Sequence, residues 1–348
     1  MLKRPSVHLA AALAAALAAC VVRTPPVTYS IMPAVLGPVD ADHNRAKDFA
    51  RVFCSTLTHV KDRDGRSWGD CARYLEMPQT AEPQTAISTR YRFLFVPGFG
   101  GDCLRDVRAF ASSIAHLKDA HQIDVDYFSV APFASSEENG KSIARQIDTL
   151  WTADRTRRFV VIGYSKGAAD ILDALRVLDE PTTKVAAIVT VAGVIGGTWV
   201  PEDFVALMQA GQPWLAAACP GNVQDGMHSL MREVRQSFLR QNPTPVPAYS
   251  VVGETTIDET SAALRPSWNR LAVYAKEQDG QMIAWEAVLP GAKYLGAARA
   301  DHWSIALPFE ESPQPPKGIN RNHFPRDALL EAIVRYVSGD LAASEPAK

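Results

Sequence analysis

The 348-residue sequence lacks any basic stripe: its Lys and Arg are scattered and its formal net charge is only −2. Binding to a phosphate backbone depends on such a stripe, so no nucleic-acid partner is expected. There is no CxxC pair and no His cluster beside a cysteine, which argues against a zinc centre, and no metal or other cofactor is expected. Long apolar runs are also scarce. The run from Val7 to Ala19 covers about a dozen residues, short of the about 20 that a membrane-crossing helix requires. What is present is enough for one large core, because 47% of the residues are hydrophobic and 21% charged, a composition without the marks of disorder.

Lys3 and Arg4 precede the Ala- and Leu-rich run, which is the pattern of a secretory signal. The run ends in Leu17-Ala18-Ala19-Cys20, which resembles the lipobox of bacterial lipoproteins. The resemblance implies removal of residues 1–19, lipidation of Cys20 and membrane attachment through its acyl chains. The expected location is the bacterial cell envelope, facing the periplasm or the exterior. Residues 20–41 contain Pro25, Pro26, Pro33 and Pro38 and read as an extended tether. Export also changes how the cysteines are read. Of five, Cys54, Cys71, Cys103 and Cys219 remain, an even number bound for an oxidising compartment, where two disulfides are expected. Three connectivities are open; the closeness of Cys54 and Cys71 favours their pairing, which leaves Cys103 with Cys219.

An N-terminal helical module is expected over 42–89. Phe49, Val52, Phe53 and Leu57, then Trp68, Cys71 and Leu75, suggest two helical pieces around a polar turn from Lys61 to Arg66. Asp62, Asp64, Gly65 and Asp70 within it lack the ligand order and closing Glu of a calcium loop, so a solvated turn is expected. From Arg90 onward apolar runs alternate with helical periodicity. Strands are expected at Phe93–Val96, Val125–Val130, Phe159–Ile162, Val185–Val191, Tyr249–Val252 and Lys293–Ala297. Between them Leu104, Val107, Phe110, Ile114 and Leu117 predict one helix, Ile143, Ile147, Leu150 and Trp151 a second, and Ile171, Leu172, Leu175 and Leu178 a third. A last helix is expected from Pro325 to Val337. This rhythm predicts a mostly parallel sheet with helices on both faces over 90–340. The helical-looking stretch at about 201–242, with Phe204, Met208, Trp214 and Leu215, interrupts the rhythm and reads as a cap.

The strongest motif is Gly163-Tyr164-Ser165-Lys166-Gly167. It is a GxSxG sequence between a predicted strand and a predicted helix, the setting of a nucleophile elbow. With this motif the chain resembles the α/β-hydrolase superfamily, and in particular bacterial lipases and esterases. The resemblance covers roughly Tyr91 to Val337. It implies Ser165 as nucleophile of a serine hydrolase acting on carboxylic esters, small-molecule or lipid. It also implies an oxyanion hole from the backbone N–H groups of Phe99 and Lys166. Pro97-Gly98-Phe99-Gly100-Gly101 stands where such enzymes carry their HG-type loop, with Pro97 in the place often held by His.

The superfamily order of nucleophile, acid, base points to His302, at the exit of a predicted strand, as the base. His228 falls in the cap, and His323, at the mouth of the last helix, reads as a surface or capping residue. Glu254, Asp258 and Asp279 compete as the acid. Gln278-Asp279-Gly280-Gln281-Met282 resembles the NDGxV segment of bacterial lipases, which selects Asp279. Lys166 reads as a solvent-facing neighbour in the elbow, and Asp301 as too close in sequence to His302 to orient it. The competing classes are a catalytically inactive hydrolase fold used as a surface binding module, and an acyltransferase or thioesterase on the same fold.

Overall fold

The computed structural model describes residues 41–75, 86–101, 103, 107–199, 222–312 and 323–344. Cys20, Cys219, the signal, most of the tether and the first half of the predicted cap lie outside these residues. Among the described residues no helix is long and apolar enough to cross a membrane.

Six strands, β1 (Tyr91–Val96), β2 (Val125–Tyr127), β3 (Arg158–Tyr164), β4 (Val185–Val191), β5 (Ala248–Glu254) and β6 (Lys293–Arg299), form one sheet in the order β2-β1-β3-β4-β5-β6. Every pairing between them is parallel. The continuous apolar runs follow from this, because both faces are covered. Alternate residues point to opposite sides: Phe93, Phe95, Val160 and Ile162 join one core layer, and Leu94, Val96, Phe159 and Val161 the other.

The first layer is covered by α1 (Ala46–His59), α2 (Ala111–His121) and α9 (Arg326–Ser344), and the second by α3 (Ser136–Ala153) and α4 (Lys166–Val177). The predicted N-terminal module thus supplies core: Phe49 and Phe53 of α1 are fully buried and pack on Tyr336 and Phe324. Cys54 is bonded to Cys71, with Cα atoms 5.4 Å apart, as the sequence favoured. Cys103 is also disulfide-bonded, and Cys219, expected as its partner, lies outside the described residues.

Three expectations about elements need correction. The second helical piece of the module is a single 3-10 turn, Cys71–Arg73, capped by the Asp70 carboxylate accepting from the Ala72 N–H. Leu104 of the helix predicted after β1 lies outside the described residues, and the helix does not run through Phe110, which has φ +54° and donates its N–H to Ala306 O at 2.8 Å. That long-range bond delays the helix to Ala111. Third, the predicted strand at Val125–Val130 ends at Tyr127, the last residue with a partner in β1, Phe95. The Asp62 turn is solvated as expected, its carboxylate accepting from the Asp64 and Arg66 N–H groups.

The rest of the fold is completed by α5 (Pro181–Lys184), α6 (Val223–His228), α7 (Arg232–Gln241) and α8 (Arg265–Leu271). The described half of the predicted cap, α6 and α7, is fastened to the sheet layer through a buried ion pair, Arg235 Nη1 to Asp173 Oδ2 of α4 at 2.7 Å.

The disulfide between Cys54 and Cys71 closes a loop with a sequence separation of 17, and cross-linking a loop of that size restricts the unfolded chain by about 3 kcal/mol. The double variant Cys54→Ala/Cys71→Ala should lose stability on that scale in urea unfolding. A loss below about 1 kcal/mol would contradict the role assigned to the bond.

Candidate active site

The strand order reverses direction between β1 and β3, whose connections leave to opposite sides. At such a switch point the carboxyl ends of strands leave a crevice. Ser165 sits there, between β3 and α4, with φ +54° and ψ −124°. A non-glycine residue in that region is strained, and persists because its surroundings hold it. Its N–H donates to Val191 O at 3.1 Å, and its carbonyl accepts from the Ala168 and Val194 N–H groups, both at 3.1 Å.

Close approach of neighbouring backbone makes the glycines obligatory. A Cβ on Gly167 would lie 2.4 Å from Val96 O and 2.6 Å from Pro97 O, and one on Gly98 would lie 2.9 Å from Ser165 Cβ. The segment from Pro97 to Gly101 therefore passes directly beside Ser165. No described group accepts from the N–H of Lys166, as befits the first residue of a helix.

The structure brings together the three residues selected from the sequence. His302 Nε2 lies 2.8 Å from Ser165 Oγ, and His302 Nδ1 lies 2.7 Å from Asp279 Oδ2. His302 leaves the end of β6, and its N–H donates to Asp279 O at 2.8 Å, so acid and imidazole are joined through backbone as well. The other carboxylate oxygen of Asp279 accepts from the N–H groups of Gln281 at 2.9 Å and Met282 at 2.7 Å. Gly253, at the end of β5, leaves the room for this carboxylate: a Cβ there would meet Asp279 Cβ at 2.9 Å.

The competing residues lie elsewhere. Asp258 and His228 are exposed, and His323 is exposed ahead of α9. Glu254 closes β5 and is only partly buried, whereas His302 Nδ1 is taken by Asp279. Asp301 is buried, but it accepts from the N–H groups of Ser261, Trp303 and Ser304. It shapes the loop that carries His302.

Lys166 corrects the sequence reading. It does not face solvent: it is 1% exposed, and its ammonium donates to both oxygens of Asp170 at 2.6 and 2.8 Å. Burial pulls the ammonium below its usual range and pushes the Asp170 carboxyl up, while the contact between them opposes both shifts. Asp170 Oδ2 also accepts from Asn139 Nδ2 at 2.8 Å, and the Asn139 side chain exchanges two hydrogen bonds with the backbone of Ala131. The next residue, Pro132, accepts from the Gly100 N–H at 3.0 Å. A buried polar chain therefore runs from Lys166 to the loop that carries Phe99.

Tyr164, which sequence reasoning passed over, donates its hydroxyl to His302 O at 2.6 Å. Desolvation holds that phenol well above its usual range, with the charges of Asp279 and Asp301 adding to the shift, so it stays neutral. The spacing of four between Lys166 and Asp170 was a visible signal for an ion pair, but not for its depth.

No protein-family model matches the sequence, and no curated protein does. Among solved structures the chain is similar to the metagenomic carboxyl esterase MGS0156, with 27% identity and a TM-score of 0.73 over 87% of this chain and 95% of the esterase. Lipase 1 from Pelosinus fermentans superposes with a TM-score of 0.51 at 10% identity, over 72% of this chain and 99% of the lipase. The fold is that of the α/β-hydrolases.

Asp170→Asn should leave the Lys166 ammonium buried without its countercharge and destabilise the protein by about 3–5 kcal/mol. The paired apolar replacement Lys166→Met/Asp170→Leu should cost far less, since no charge is then stranded. Urea midpoints of the two variants check this, and equal losses would refute the charge argument.

Proposed function

We propose that this protein is a serine hydrolase that cleaves carboxylic esters through an acyl-enzyme on Ser165. The observation that carries this reading is the unbroken line of contacts from Ser165 Oγ through the imidazole of His302 to Asp279. The similarity over nearly the whole length of a carboxyl esterase supports the choice of ester. An inactive binding module has no use for that line of contacts.

A serine hydroxyl is a weak nucleophile at neutral pH and needs a base within hydrogen-bond reach. His302 Nε2 is that base. As Ser165 Oγ attacks the ester carbonyl, its proton passes to Nε2, and the Asp279 carboxylate on Nδ1 fixes the tautomer and stabilises the imidazolium. The oxyanion is held by the N–H groups of Phe99 and Lys166, on the two segments that the Gly167 contact presses together. Collapse of the intermediate expels the alcohol, which takes the proton from Nε2. Water, deprotonated by the same nitrogen, then releases the acid and restores Ser165.

Ser165→Ala should abolish labelling by a fluorophosphonate probe and lower ester turnover by about 10⁶-fold. Asp279→Asn should lower kcat by up to about 10⁴-fold with little change in KM. Glu254→Gln and Asp258→Asn should cost far less. Turnover near wild type in Ser165→Ala, or a larger loss from Glu254→Gln than from Asp279→Asn, would overturn these roles.

Export and lipidation at Cys20 belong to the same proposal. Their support is the Leu17-Ala18-Ala19-Cys20 sequence, together with disulfide-bonded cysteines at 54, 71 and 103, which suit an oxidising compartment. Cys20→Ser should move the protein from the membrane to the soluble fraction in cell fractionation. Retention on membranes under high salt would contradict the anchor.

A further inference from the structure

Away from the catalytic edge, a polar seam between α2 and α9 converges on one carboxylate oxygen. Asp327, Glu331 and Arg335 stand four residues apart on α9, and so form one stripe facing α2. At one end of the seam the Ser113 and Ser112 hydroxyls donate to Asp327 Oδ1 at 2.7 and 3.2 Å. One turn along, His116 Nε2 lies 2.7 Å and His121 Nε2 2.9 Å from the same atom, Glu331 Oε2. The three groups have their ligand atoms within 4.8 Å of one another.

We propose that His116, His121 and Glu331 form a zinc site that ties the end of α2 to α9. Two imidazole nitrogens and one carboxylate oxygen are a recognised zinc donor set, with a fourth position left for water. The carboxylate is deep, its side chain 2% exposed, while each ring is 25% exposed. An entering ion and a bound water can therefore reach the nitrogens from solvent. Glu331 Oε1 accepts from Arg335 Nε at 2.7 Å, the kind of outer contact that fixes the rotation of a ligating carboxylate.

Charge neutralisation alone does not account for this arrangement. Arg335 already supplies a countercharge to Glu331, yet two rings aim their Nε2 atoms at its remaining oxygen. The guanidinium opposes a second cation nearby, since Arg335 Nη2 lies 3.5 Å from His121 Nε2. Asp327, on the same stripe, offsets part of that charge. An ion there would take the place of the direct contacts from the two Nε2 atoms to Oε2. Tetrahedral zinc needs ligand atoms about 3.3 Å apart, so the rings must withdraw from Oε2 by about half an ångström, which surface rings can do. On binding, a neutral imidazole transfers its proton to Nδ1 and an imidazolium releases one to solvent.

The test uses the full chain, free of any polyhistidine tag, dialysed against a small excess of Zn²⁺ and assayed for bound metal by mass spectrometry. About one equivalent should be retained, and zinc should raise the Tm by several degrees. His116→Ala/His121→Ala, verified as folded by circular dichroism, should retain none at that position and show no Tm shift. If the double variant does not fold, His121→Gln gives the same readout, with zinc affinity weakened about tenfold or more. No bound zinc in the wild type, or equal retention and affinity in wild type and variants, overturns the proposal.

Discussion

The first turn of α4 lies so close to the carbonyl oxygens of Val96 and Pro97 that a single methyl on Gly167 would stand 2.4 Å from one and 2.6 Å from the other. This contact constrains everything at the carboxyl edge of the sheet. It leaves the chain one way from β3 into α4, through Ser165 at positive φ, which lifts the hydroxyl clear of the strand. It also presses the start of α4 against the end of β1, so the two segments that carry the proposed oxyanion donors become neighbours. The strain at Ser165 is held by its three backbone hydrogen bonds, one within the first turn of α4 and two to Val191 and Val194 at the exit of β4. Ser165 and the loop that carries Phe99 thus share one packing constraint.

Packing sets the distance between those segments, and the buried polar chain sets their orientation. Lys166 and Asp170 lie on one face of α4, and Asp170 reaches Asn139 on α3. Asn139 grips the backbone of Ala131, whose neighbour Pro132 receives the Gly100 N–H. Partly satisfied, such a chain would be costly in a low-dielectric interior. Closed at every link, it specifies one arrangement. The residue whose backbone N–H is proposed to face the substrate therefore anchors, through its side chain, the loop that carries the second donor.

What was legible in the sequence follows from the same physics. Strands buried on both faces leave continuous apolar runs, so β1, β3 and β4 could be placed to within a residue or two. The elbow is local, and its GxSxG pattern between strand and helix located Ser165. His302 and Asp279 followed only from order along the chain and from resemblance, because their contacts join residues 137 and 23 positions apart. The failures are non-local too. Phe110 fits a helical periodicity, yet its N–H is claimed by Ala306. Lys166 looks like a surface residue until α3 is laid over it. The convergence of His116 and His121 on Glu331 spans a separation of 215 for the first pair, and periodicity carries no trace of it.

Asp279 and Asp301 show why sequence proximity is a poor guide to which carboxylate meets an imidazole. Both are fully buried carboxylates on loops at the carboxyl edge, and Asp301 is the immediate neighbour of His302. Yet Asp301 spends both oxygens on backbone: Oδ1 accepts from Trp303 and Ser304, and Oδ2 from Ser261. Asp279 confines its two backbone bonds to Oδ1, from Gln281 and Met282, and keeps Oδ2 for the imidazole. Three neutral donors on Asp301 stabilise its charge in place and make it a cap for the turn that presents His302. On Asp279 the same backbone chemistry is limited to one oxygen, which orients the carboxylate and leaves the other for the imidazole. The division of labour between two identical side chains is therefore written in the backbone N–H groups around them. Tyr164, donating to the carbonyl of His302, fixes that loop from the opposite side.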